Sequence, residues 1–209
     1  RKLMAITTYT ELKSSVADFL NRDDLTASIA TFISLAESNI NRDVRHWRMQ
    51  TRSTLTISGQ FTALPTDWLE AGRISLQANG TSEVKLSSSA AIGALREKNS
   101  NATGIPANYA INGNDLEVQP SPDGAYIADV LYTARTPALS DSNANNWLLT
   151  YAPDVYLYGA LIHSAPYLKD DARAAVWASL YQAAVTNLNK DSTKAISGGS
   201  GMALKVNSY

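Results

Sequence analysis

Between Thr26 and Trp47, apolar side chains recur at Ile29, Phe32 and Ile33, Ala36, Ile40, Val44 and Trp47. Steps of three and four return to one face of a helix, so this stretch predicts a long amphipathic helix that Thr26 can cap. A shorter helix precedes it. Thr8-Tyr9-Thr10-Glu11 has the capping-box pattern, in which the threonine hydroxyl accepts from a free backbone N–H and the glutamate reaches back. Leu12, Val16, Phe19 and Leu20 mark its apolar side, and Asn21-Arg22-Asp23-Asp24 breaks the pattern.

The period then changes to two. Leu55 and Ile57 alternate with Thr54, Thr56 and Ser58 up to Gly59, as in a half-buried strand. Phe61–Leu64 and Arg73–Leu76 read as further strands, with Leu64-Pro65-Thr66-Asp67-Trp68 turning between them. Asn79-Gly80 is a hairpin signal, because both central positions of its preferred turn need positive φ. Ser87–Lys98 suits a short helix with serine caps and with Ile92 and Leu95 on its apolar side. Ala107–Ile111, Leu116–Val118 and Ala125–Tyr132 follow, separated by Asn112-Gly113 and by Ser121-Pro122-Asp123-Gly124. They predict two successive hairpins, an antiparallel meander.

Helical spacing returns at Pro153, a residue suited to a first helical turn. Leu157, Leu161, Ala165 and Leu168 follow, and Pro166 should kink or end that helix. Asp170-Asp171 starts another, with Trp177, Leu180 and Tyr181, Ala184 and Leu188 as its stripe; acidic residues suit the positive end of the helix dipole. From Lys190 the composition changes: STKAISGGSG is typical of a flexible linker, and MALKVNSY after it is short, apolar and extended in character.

Glycine and proline support the same partition. Residues 1–50 contain neither, whereas residues 51–139 hold five of the seven prolines and seven of the eleven glycines. The expected fold class is α+β. An antiparallel helical bundle of about four main helices (residues 1–50 and 140–190) would carry a central β-rich insertion of antiparallel hairpins (51–139) and an extended, flexible C-terminal arm (191–209).

Composition narrows the function classes. The 209 residues carry 18 Lys+Arg against 19 Asp+Glu, a formal net charge of -1, so no basic stripe advertises a duplex-DNA binder. There is no cysteine, which removes disulfides, thiolate catalysis and Cys-type zinc sites. No apolar run approaches the ~20 residues of a membrane-spanning helix, and the opening RKLMAITTYTELK lacks the apolar stretch of a signal peptide. The two histidines, His46 and His163, fall in different predicted helices without an acidic partner at metal-ligand spacing, so a packing or surface role is favoured for both. Gly198-Gly199-Ser200-Gly201 ends in Met202 where a nucleophile elbow requires glycine, and it lies in the linker composition. Asp23/Asp24 and Asp170/Asp171 are better explained as helix-start chemistry than as acid/base pairs, and Asp115, Glu117 and Asp129 are expected on the wet face of strands. No catalytic, cofactor-binding or metal-ligating residue is therefore assigned.

One charge cluster remains. Arg42, Arg45, Arg48 and Arg52 stand at spacings of three and four with Asp43 among them, which would keep most of these arginines near one helix face. An interface with an acidic partner and a solvated face are comparable readings, and direct DNA contact ranks below both. Tyr151, Tyr156, Tyr158, Tyr167 and Tyr181 have helical spacing that suits packing between helices or a subunit interface.

The segment Gly104–Leu139 resembles a pattern of the head-to-tail adaptor, or connector, proteins of tailed bacteriophages. The matching residues are Gly104-x-Pro106-x-x-Tyr109, Gly113, Leu116, Val118 and Pro120, Pro122-Asp123-Gly124, Tyr126, Leu131-Tyr132 and Pro137-x-Leu139. Tyr9-x-x-Leu12 with Phe19–Thr26, Phe32–Glu37 with Ile40-Asn41-Arg42, Leu64-Pro65-x-Asp67-Trp68-Leu69-Glu70, Pro153-x-x-Tyr156-Leu157-Tyr158-Gly159-Ala160-Leu161 and Pro166-Tyr167-Leu168 follow in the same order, so the resemblance spans roughly residues 6–190. It implies a non-enzymatic virion protein without cofactors. Copies would form a homo-oligomeric ring of about twelve, closed by one repeated heterologous contact. That ring would sit between portal protein and tail or nozzle proteins and extend the channel through which genomic DNA passes, without reading its sequence. Such a protein is made in the bacterial host cytoplasm, works in the virion and needs no membrane. The expected partner-binding residues are Arg42, Arg45, Arg48 and Arg52, with Ile196, Met202, Leu204, Val206 and Tyr209 on the arm, which could add contacts by strand addition. The alternative is a glycan-binding or depolymerising tail component, motivated by tyrosines and unassigned carboxylates but lacking the long β-repeats such proteins use.

Overall fold

The computed structural model describes residues 5–22, 24–77, 81–168 and 171–198. The chain is α+β, with six α-helices and a seven-stranded sheet among the described residues. Contacts divide it into two compact units, Arg1–Met49 with Thr136–Tyr209, and Gln50–Arg135.

The first unit is helical. Helix α1 (Tyr9–Leu20) starts with the expected capping box: Glu11 N–H donates to Thr8 Oγ1 at 3.3 Å and Thr8 N–H donates to Glu11 Oε2 at 3.0 Å. It ends at Asn21, whose left-handed φ of 53° stops the helix. Helix α2 (Thr26–Asp43) buries Ile29, Phe32, Ile33, Ala36 and Ile40. Thr26 is its first helical residue, not its cap; Leu25 holds the cap position and offers no side-chain bond. A short helix α4 (Trp147–Tyr151) is capped by Asn146, whose Oδ1 accepts from Leu149 N–H at 2.9 Å. Helix α5 (Pro153–Leu168) passes through Pro166 for two more residues. It contacts α1, α2, α4 and the last helix, α6 (Asp171–Ser197). Being enclosed, it is apolar nearly all round, with Val155, Tyr156, Leu157, Ala160, Leu161 and Ala165 buried. Gly159 makes the crossing possible: a Cβ there would lie 3.1 Å from Ala36 Cβ on α2 and 3.4 Å from Tyr181 Cε2 on α6.

Two corrections concern this unit. The α2 stripe does not run to Trp47, because Val44 leaves the helix in extended conformation and Trp47 lies exposed in a single 3-10 turn, Trp47–Met49. Helix α6 continues through Lys190–Ser197, part of the stretch whose composition suggested a linker. Ser192 is buried there, and Gly198 at φ +60° follows the last turn. The remainder of the expected arm, 199–209, lies outside the described residues.

The second unit is the sheet. Its strands are β1 (Gln50–Ile57), β2 (Phe61–Ala63), β3 (Trp68–Gln77), β4 (Thr81–Leu86), β5 (Asn108–Asn112), β6 (Asp115–Gln119) and β7 (Tyr126–Ala134). Their order is β1-β7-β3-β4-β5-β6-β2. Strands β1 and β2, at opposite ends of that order, also touch, so the sheet curls around Ile57, Ile74, Leu76, Val84, Tyr109, Leu116, Val118, Val130 and Tyr132. All pairings are antiparallel except β4–β5, which are joined in parallel through helix α3 (Ser89–Lys98) as a crossover must be. β3 and β4 pair antiparallel up to Gln77↔Thr81, while the Asn79-Gly80 turn signal lies outside the described residues.

The meander expectation holds only in its first half. β5 and β6 form a hairpin from Asn108↔Gln119 to Asn112↔Asp115, with Gly113 supplying φ +63° at the turn. β7 does not pair with β6; it leaves through Pro122-Asp123-Gly124 to lie between β1 and β3. Turn residues specify that the chain reverses, not which strand receives it. Glu117 is also buried rather than wet. Alternation puts Leu116 and Val118 in the sheet core and Glu117 on the opposite face, which α3 covers. There Arg96 Nη2 lies 2.7 Å from Glu117 Oε1 at ion-pair distance, outside hydrogen-bond alignment, while Gln60 and Asn112 donate to the carboxylate.

Candidate interaction surface

The segment after α2 is held by side chains of α6. Asn189 serves two backbone groups at once: its Nδ2 donates to Asp43 O at 3.0 Å and its Oδ1 accepts from Arg45 N–H at 2.9 Å. Ser192 Oγ accepts from Trp47 N–H at 2.8 Å. Tyr181 donates its hydroxyl to Asp43 Oδ2 at 3.0 Å, and burial together with that carboxylate pushes the phenol well above its ordinary pKa. These bonds satisfy the polar backbone where α2 stops, so residues 43–47 leave the helix without stranding donors.

The four arginines therefore do not share a helix face. Arg42 is on the last turn of α2 and donates to Asn39 Oδ1, whose amide lies 2.9 Å from His163 Nε2. Arg45 Nη1 donates to Asn41 O at 2.9 Å and Val44 O at 2.6 Å, capping the helix it follows. Arg48 is exposed in the 3-10 turn. Arg52 belongs to the other unit, exposed on β1 opposite Leu131, and lines a shallow recess with Ser53, Thr54 and Asp129. Ile196 is exposed on the last turn of α6, whereas Met202, Leu204, Val206 and Tyr209 lie outside the described residues.

Around Arg48 the helical unit builds an aromatic knob. The guanidinium carbon stands 4.7 Å from the Trp47 ring centroid and 5.1 Å from that of Tyr151, and both rings are exposed. Beneath them His46 is only 3% exposed and stacks on Trp147 at 5.2 Å, with Trp47 and Tyr151 at 5.6 and 5.7 Å. His46 Nδ1 accepts from Arg48 N–H at 3.3 Å, so the neutral ring carries its proton on Nε2, which is buried without a partner. Burial first, then the Arg48 charge, holds the imidazole below its usual range. The expected packing role of this histidine is what its surroundings provide. Trp, Tyr and Arg are the residue types that dominate binding hot spots, here rigidly supported from below. Sequence reading missed Trp47 as a surface residue because helical periodicity assigned it to the core, whereas Tyr151 was already among the tyrosines suited to helix packing or a subunit interface. The available signal was the dense Arg45-His46-Trp47-Arg48 cluster at a helix end.

The sheet unit presents a recess walled by Trp68, Glu70, Ile111, Asn114 and Arg135. Its rim is pinned: Trp68 stacks on Tyr132 at 4.8 Å, Tyr132 donates to Asp67 Oδ1 at 2.8 Å, and Asp67 O accepts from Arg135 N–H at 2.7 Å. Burial and Asp67 together raise the Tyr132 phenol to about 12. Glu70 is the one carboxylate among the lining residues, whereas glycoside hydrolysis needs a facing pair. Five other carboxylates have structural partners: Glu11 in the α1 cap, Asp43 with Tyr181, Glu117 with Arg96, Asp129 with Gln77 and Asp141 with Lys13. Among the described residues, no three His, Asp or Glu side chains gather around a metal-sized space, and no helix is long and apolar enough to cross a membrane.

The family model described as SU10 adaptor protein covers residues 7–202. No curated protein matches the chain.

Proposed function

We propose a structural role in the virion for this chain, which belongs to the SU10 adaptor protein family, a family of phage head–tail adaptors. As a phage adaptor it is a virion component that interacts with other head or tail proteins. Our finer reading is that copies close into a ring, of about twelve by the family resemblance, between portal and tail. The channel of that ring passes DNA without reading its sequence. The helical unit acts as an antiparallel bundle, and the sheet unit as an insertion that meets tail components. The chain performs no catalysis and is made in the host cytoplasm.

The observation that carries this reading is the family match over nearly the whole chain. The knob of Trp47, Arg48 and Tyr151 supports it, being an exposed cluster of the residue types that dominate binding hot spots. In this reading Arg42 and Arg48 supply rim charge, Arg45 shapes the helix end, Arg52 contributes from β1, and Ile196 with Met202, Leu204, Val206 and Tyr209 forms the arm that engages a neighbour. The test is co-sedimentation of the purified chain with portal protein. Trp47→Ala with Arg48→Ala should abolish co-sedimentation while leaving thermal stability close to wild type. Removal of residues 199–209, which spares the Ser192 bond, should weaken it. Wild-type chain that never co-sediments with portal would remove the proposal.

A further inference from the structure

Helix α6 has two apolar sides, and its own unit uses only one. Trp177, Tyr181, Val185, Leu188 and Ser192 are buried inward. Val176, Leu180, Ala183 and Asn187, at spacings of four, three and four, lie on an exposed side, where Val176 is 58% and Leu180 41% exposed. No charged residue occurs between Arg173 and Lys190. A helix side facing water should be rich in charge, and the heptad-like spacing of this one is that of a packing seam.

Helix α2 of the same unit repeats the pattern. Its outward positions Ala27, Thr31, Ser34, Leu35 and Ser38 are exposed, Leu35 by 45%, and no charge lies between Asp24 and Glu37. The outer side of α1, by contrast, carries Asp18. One chain thus holds two neutral helix sides of small residues, with Leu35 on one and Val176 and Leu180 on the other. A strongly charged partner would have its ions desolvated without compensation on either side. The counterpart matching the Val176–Asn187 side in neutrality and extent is the Ala27–Ser38 side of α2, and a second copy of this chain supplies it.

From this matching we infer that the Val176–Asn187 side of α6 packs on the Ala27–Ser38 side of α2 in the next copy. The contact is heterologous: each copy donates one side and receives the other, which generates a ring when the rotation closes. The inference rests on the ring reading above and names the surfaces that would build it.

The chain lacks cysteine, so single-cysteine variants give a clean readout. Leu35→Cys and Leu180→Cys proteins, mixed as full-length chains and oxidised on the assembled portal complex, should yield a disulfide-linked dimer that neither variant forms alone. Val176→Lys with Leu180→Lys should weaken self-association by at least about tenfold with the melting temperature unchanged, since both positions are exposed. An oligomer that forms normally with the double-lysine variant, or without the mixed disulfide, would overturn this pairing and leave the ring reading standing. A chain that remains monomeric both in solution and on the portal would overturn both.

Discussion

The same Gly→Ala change should have opposite effects at two positions, for reasons fixed by the backbone. Gly72 sits in β3 where the pairing with β7 shifts register between Ala71 and Arg73. A Cβ on Gly72 would lie 2.4 Å from Leu131 O and 3.1 Å from its carbonyl carbon, a collision with main chain that no side-chain rotation relieves. Either β7 moves or the bulge is lost, and with it local β3–β7 pairing. Backbone shifts of this kind cost about 1–3 kcal/mol, and the upper end is expected because the obstacle is a backbone oxygen inside the pairing of the longest strand, β3, with β7. Gly93 lies within α3 with nothing within 4 Å of its Cβ position. There alanine brings only helix propensity and a less flexible unfolded chain, a gain of about 0.5–1 kcal/mol. Urea denaturation of Gly72→Ala, Gly93→Ala and wild type, followed by far-UV circular dichroism, should bracket wild type with a gap of about 3.5–4 kcal/mol. A Gly72→Ala protein as stable as wild type would refute the close approach, and a destabilised Gly93→Ala would refute the open α3 surface.

Three further predictions follow from the polar contacts. Asn189→Ala strands both Asp43 O and Arg45 N–H and should cost about 2 kcal/mol, with increased acrylamide quenching of tryptophan as the 43–47 segment loosens; unchanged stability and quenching would dismiss the clamp. Glu117→Leu leaves Arg96 buried without its anion and should cost about 3 kcal/mol, most of it recovered by adding Arg96→Met, since removing both charges avoids the desolvation penalty; a double-mutant cycle reads the coupling. His46 and His163 are held below the ordinary imidazole value of 6.5 chiefly by burial, so the unfolded chain takes up protons first. Their contribution is present above that value and is lost as pH falls through it toward the folded pKa values. His46→Phe should therefore flatten the decline in stability as pH falls below the ordinary imidazole value of 6.5, and an unaltered slope would exclude His46 as a source.

What the sequence revealed depended on how local each cause was. The Thr8–Glu11 box and the Ile29–Ile40 stripe were readable because cap and period lie within a few residues. Gly113 was readable because its turn contains its own reason. The end of α2 was not, since the groups that accommodate it, Asn189 and Ser192, come from the other end of the chain. Trp47 and the helix face expected to hold most of the four arginines were misplaced for that one reason. Glu117 looked like a wet-face residue because alternation gives the face of a strand but not what covers it, and Arg96 on α3 covers it. The departure of β7 to β1 and β3 was hidden likewise, in pairings with strands distant in sequence. Helix α6 outlasted its linker-like composition because Ser192 is buried and bonded.

The structural-adaptor reading is tested most directly by electron microscopy of the purified chain mixed with portal protein. It predicts a closed ring of this chain seated on the tail-facing end of the portal, with a channel continuous through both. A monomer that leaves the portal bare would contradict it.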